Sequence, residues 1–111
     1  MKKKLCFKTL DGYLFIRPDD INFIKSDDVY AYIYNDKTKL FVNYSLKVLE
    51  LKLPEENFVR CHRSYLVNID KVVKFIRASN FKLLLENGLE VPISRNKKRE
   101  VIKKLGIDNQ F

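Results

Sequence analysis

A mostly β fold is what this sequence predicts, and three observations predict it. Short runs of strand-forming residues recur along the chain, separated by turn pairs such as Asp11-Gly12, Asn35-Asp36 and Asn87-Gly88. Only two stretches space their apolar residues as a helix does, one mid-chain and one near the C-terminal end. The longest apolar runs, such as Leu83 to Leu85, cover only a few residues. At 111 residues the chain is expected to form one domain, 1–111, large enough for a core without disulfide or metal.

The elements follow in order. Residues 4–10 and 13–16 read as two strands joined at Asp11-Gly12, and Pro18, Asp19 and Asp20 then break the pattern. Residues 22–25 and 29–34 are short strands; Asn35-Asp36 turns the chain into a further strand at 39–42. Ser45 is placed to cap a short helix that carries Leu46, Leu49 and Leu53 on one face, and Pro54 ends it. Residues 72–76 and 82–85 form another hairpin-like pair, and Asn87-Gly88 leads into a strand at 89–93. Ser94 is then expected to cap a final helix with Val101, Ile102 and Leu105 as its apolar stripe and Gly106 as its stop. Phe41 and Phe75 read as core. Tyr30, Tyr32 and Tyr34 alternate along one strand face, a pattern commoner in half-buried packing than in recognition.

Between these elements lies FVRCHRSYLVN, residues 58–68, which seats polar groups between two apolar anchors. Cys61, Tyr65 and Val67 share one strand face, and an unbroken strand would drive the Arg63 guanidinium inward with them. A turn near His62 to Ser64 avoids this and throws Arg63 outward. An arginine held at a turn on a rigid scaffold suits the reading of a partner.

Charge names the kind of partner. The net charge is +8, but residues 1–59 hold 10 Lys+Arg against 9 Asp+Glu, and residues 60–111 hold 12 against 5. Positive charge gathered in one half of a chain favours a polyanion, nucleic acid or an anionic membrane. Arg95, Lys97, Lys98 and Arg99 crowd the start of the final helix, where the helix dipole prefers acids, so they cost stability unless an anion docks there.

Catalysis finds no footing. His62 is the single histidine, and Cys61 beside it points to the opposite strand face. Asp19-Asp20 and Asp27-Asp28 fit turns better than an acid–base pair, and three scattered glycines make no phosphate loop. No metal site, enzyme activity or cofactor is expected. Cys6 and Cys61 lie far apart and fit two half-buried thiols in a reducing cytosol. Met1 precedes three lysines and no apolar stretch, so neither a signal peptide nor a membrane span is expected.

FVRCHRSYLVNID together with NGLEVPISRNKKREVIKKL closely resembles the LytTR-type DNA-binding domain of bacterial transcription regulators. INFIKSDDVYAYIY and SLKVLELKLPEENF match the same family's order of elements, so the resemblance runs from about Leu5 to Leu105. It implies an elongated arrangement of small antiparallel sheets with short helices, in which loops enter successive major grooves. It also implies base contacts from three places: Tyr30 or its neighbours Asp28 and Val29, then Arg63, then Arg95. Tyr30 departs from the family, whose members often place a histidine or other polar group there. Such domains usually follow a phosphorylatable receiver domain, and none is present, so the chain is either a stand-alone regulator or part of a longer one.

The residue chemistry agrees independently. Arg63 and Arg95 suit bidentate contacts to guanine O6 and N7. Lys74, Lys97, Lys98 and Arg99 suit phosphates, and Arg60, His62, Ser64 and Asn96 are expected to bind phosphate with them. The expected function is sequence-specific binding of double-stranded DNA by a cytoplasmic regulator, on repeated sites, by a domain that is monomeric when free. RNA binding, or a basic protein-interaction or membrane-surface module, is the alternative. Exposed apolar residues beside the basic face would favour the latter, and the sequence gives no sign of them.

Overall fold

Ten short strands form three antiparallel sheets in a computed structural model that describes residues 3–107. Met1, on which the leader expectation rests, and the last four residues of the expected 1–111 span lie outside the described residues. β1 (Leu5–Lys8) and β2 (Tyr13–Ile16) make a hairpin. A five-stranded sheet combines β3 (Phe23–Asp27), β4 (Tyr30–Tyr34), β5 (Lys39–Val42), β6 (Phe58–His62) and β7 (Tyr65–Asn68) in the order β5-β4-β3-β7-β6. The third sheet orders β8 (Val72–Arg77), β9 (Phe81–Leu85) and β10 (Glu90–Pro92) as β10-β9-β8. Helix α1 (Leu46–Lys52) precedes β6, and α2 (Lys98–Leu105) closes the described chain. The molecule measures 46 × 33 × 24 Å, the expected elongated, mostly β shape.

The five-stranded sheet carries a core on each face. Phe23 and Ile24, successive residues of β3, point to opposite sides and belong to different cores. On one side Ile24, Ile33 and Leu66 meet Phe7 and Ile16 from the β1–β2 hairpin and Leu49 from α1. On the other, Phe23, Val59, Cys61 and Val67 meet Leu83 and Val91 from the third sheet and Val101 from α2. Burial of each such side chain contributes about 1.5–3 kcal/mol, so the sheet that carries the central motif is held from both sides.

Local chemistry sets the element ends. Ser45 Oγ accepts from the Val48 N–H at 3.3 Å and caps α1 as its sequence predicts. Gly88 adopts φ +88° in the β9–β10 turn, a conformation that favours glycine. Gly106, at φ +76°, ends α2.

Four expectations need correction. Ser94 does not cap a helix: its Oγ bonds Asn96 Oδ1 at 2.9 Å, residues 95–97 form a 3-10 turn, and α2 starts only at Lys98. Phe41 and Phe75 are only half-buried. Val42 takes the inward face of β5, which leaves Phe41 against Tyr30 and Tyr32 on a stretch that the third sheet does not cover. Cys6 is exposed, opposite Phe15 on the outer face of the β1–β2 hairpin. That face also exposes Tyr13 at 66% and Phe15 at 61%, with Leu10 at 81% in the turn, because among the described residues no further layer covers this two-stranded sheet. Those residues lie on the hairpin; beside Tyr30, where no exposed apolar residue was expected, Val29 is 59% exposed.

Cys61 is the buried thiol, and its burial pushes its pKa from an ordinary 9.0 up to about 12, against the pull of its hydrogen bonding and of the Arg60 charge. The folded state holds this proton more tightly than the unfolded chain does. The resulting stabilisation is complete below pH 9.0 and is lost as pH rises through about 12. Between neutral pH and about pH 11 the urea midpoint of the Cys61→Ala variant is expected to fall less than that of the parent; equal falls would contradict it.

Candidate nucleic-acid interface

The turn between β6 and β7 is where strand parity is broken. Register shifts between Arg60 and His62, so that His62 rather than Cys61 faces Tyr65 across the ladder. The bulge keeps Cys61 in the core and leaves Arg63 exposed at the tip, as the sequence requires. Three carbonyls of this turn point into the protein. Arg60 Nε donates to His62 O at 3.1 Å, and its Nη2 donates to Arg63 O. The Ser26 N–H donates to Ser64 O at 2.9 Å. His62 Nδ1 accepts from the Ser64 N–H at 3.1 Å, which leaves Nε2 as the ring's donor.

Main-chain bonds stitch two other segments to this turn. The Ser26–Ser64 bond brings in the β3–β4 turn, where Asp28 takes a positive φ of 59° and Tyr30, 41% exposed, opens β4 opposite Asp27. On the other side the Ser94 N–H donates to Cys61 O at 2.9 Å, which brings in the 3-10 turn with Arg95, Asn96 and Lys97. Arg95, Asn96 and Arg99 are exposed; Lys97 and Lys98 are partly buried. Lys97 Nζ lies 3.8 Å from Glu100, and Lys98 Nζ lies 4.1 Å from the centroid of the Phe81 ring. The three places expected to read bases are thus neighbours at one end of the central sheet.

Not every candidate gathers there. Lys74 sits mid-strand in β8, exposed, opposite Leu84. Tyr34 stacks on Phe23 with ring centroids 4.4 Å apart, so of the tyrosine stripe only Tyr30 is well exposed. The sequence reading missed a fourth segment, the β8–β9 turn. Its Ser79 and Asn80 line a cleft with Phe81, Ile93, Arg95 and Lys98. The polar run Ser79-Asn80 between two strands marks a turn, but nothing local says that it lies beside Arg95. Among the described residues no group of three or more His, Cys, Asp or Glu could hold a metal, and no helix is long and apolar enough to cross a membrane.

The turns that carry Arg63 and Arg95 thus lie together at one end of an antiparallel β scaffold, an arrangement suited to a polyanionic partner. The sequence profile of the LytTr DNA-binding domain matches residues 11–106, and the chain belongs to that family. Its structure superposes on the LytTr DNA-binding domain of a protein described as a methyl-accepting/DNA response regulator from Bacillus cereus. The TM-score is 0.80 at 30% identity, over 96% of this chain and 99% of that one. The sensory transduction protein LytT of Bacillus subtilis is 29% identical over 94% of this chain and 44% of its own length. The transcriptional regulatory protein BtsR of Salmonella typhi is 30% identical over 83% of this chain and 38% of its own. The chain therefore spans less than half the length of these two relatives.

Proposed function

We propose that residues 1–111 act as one sequence-specific double-stranded DNA-binding domain of a cytoplasmic bacterial transcription regulator, without catalysis or cofactor. The observation that carries this reading is the stitching of the three turns around Arg63. Arg63 and Arg95 address base edges in the major groove, with Tyr30 beside them. His62, Ser64, Lys74, Asn96, Lys97, Lys98 and Arg99 meet phosphates, which set register and affinity but carry no sequence information. The domain is monomeric when free, and two copies occupy repeated sites side by side. In a longer regulator a receiver or sensor partner supplies the signal.

Competition among duplex DNA, single-stranded RNA and anionic vesicles tests the class, and duplex is expected to win. If Lys74, Lys97, Lys98 and Arg99 each neutralise one phosphate, log affinity should fall against log salt with a slope of about −4. An affinity that stays flat with salt would overturn the reading. Preference for single-stranded RNA would instead point to Tyr30, the exposed member of the β4 tyrosine stripe, as a stacking surface.

A further inference from the structure

We infer that Arg60 is a positioning residue that fixes the reading turn, and not one of the phosphate contacts its charge first suggested. Its guanidinium is engaged on three sides within the domain. Nε and Nη2 hold the consecutive carbonyls of His62 and Arg63, and Nη1 meets Glu50 Oε1 of α1 at 3.0 Å. Its side chain is only 19% exposed, whereas its neighbour Arg63 is open to solvent.

The chemistry of those carbonyls explains the arrangement. A bulged turn leaves carbonyl oxygens without ladder partners. Carbonyl oxygens turned outward would present negative ends to a polyanion. One planar fork with fixed donors gathers two of them inward, which a lysine ammonium on a flexible stem cannot do in the same geometry. With Ser64 O taken by Ser26 N, all three turn carbonyls are accounted for. Glu50 balances the Arg60 charge, so Arg60 contributes order to the turn and little to the domain's positive field. The bridge also ties the turn to α1, the helix that packs in the first core.

This inference rests on the duplex-binding reading, so its test first requires that the parent domain select a site from a random duplex pool. Failure at that stage overturns the functional reading itself. Given a selected site, Arg60→Lys and Arg60→Gln are titrated against selected and scrambled duplexes over a salt series. Loosening the two carbonyl bonds should cost each variant about tenfold on the selected site, or about 1.4 kcal/mol. Scrambled DNA should bind as before and the salt slope should hold. Glu50→Gln keeps both carbonyl bonds and should show a smaller loss of the same kind, a readout that survives if the Arg60 variants fold poorly. Hydrogen exchange at the amides of Arg63 and Ser64 should quicken in the Arg60 variants while exchange in β3 stays slow. A different pattern overturns the inference: Arg60→Lys harmless, with Arg60→Gln weakening both duplexes equally and lowering the slope by about one, is what a phosphate contact gives.

Discussion

Replacing Arg63 or Arg95 with alanine is expected to cost about 1–3 kcal/mol on the selected duplex and to relax preference at particular base pairs. Both side chains are exposed, yet each stands on backbone that main-chain hydrogen bonds fix, Arg63 on the bulged turn and Arg95 after Ser94. A side chain that starts from fixed backbone loses less freedom when it meets a base edge. Lys97 and Lys98 differ in kind, for one is drawn toward Glu100 and the other lies over a ring. Alanine at either should weaken selected and scrambled DNA about equally and lower the salt slope by about one. Titrating the four variants against both duplexes separates the roles. If Arg63→Ala and Arg95→Ala lose affinity equally on both, the arginines act only through charge.

The largest loss of stability is expected at Asn68, which is 1% exposed. Its Nδ2 donates to Ile21 O at 2.8 Å and to Pro18 O at 3.3 Å, and its Oδ1 accepts from the Asp70 N–H at 3.0 Å. Asn68→Leu conserves volume but takes this partner from the Ile21 carbonyl and the Asp70 N–H, at about 1–3 kcal/mol for each buried group left unpaired, while Pro18 O keeps the Ile21 N–H at 3.1 Å. A total loss of about 2–5 kcal/mol should appear as a lower midpoint in equilibrium urea unfolding. Asn68 lies at the end of β7 opposite the reading turn, so the ratio of selected to scrambled affinity should hold while the domain is folded. A change below about 0.5 kcal/mol would remove Asn68 from the residues that hold the fold.

What the sequence made legible was the part governed by nearest neighbours. Asn87-Gly88, the Ser45 cap, the Gly106 stop and the turn that throws Arg63 outward all follow from chemistry within a few residues. Strand partners do not. That β3 pairs with β7, and so carries Ser26 to Ser64, is decided by two cores assembled from distant segments. Phe41 has the composition of a core residue and an unfavourable parity, which shows only once Val42 is seen to face inward. Ser94 has the composition of a helix cap, yet its main chain is committed to Cys61 and the helix waits until Lys98. Arg60 was the least legible, because a guanidinium turned to backbone carbonyls leaves no trace in residue spacing.

The two bonds that stitch the turns together, Ser26 N to Ser64 O and Ser94 N to Cys61 O, run from main chain to main chain. They do not depend on which side chains occupy positions 30, 63 or 95. A lineage could therefore exchange those side chains one at a time and drift to a new recognition sequence while the scaffold stays the same. On the proposed reading, selection on fold and selection on target fall on separate residues, and such a domain can be copied and retuned without rebuilding its scaffold.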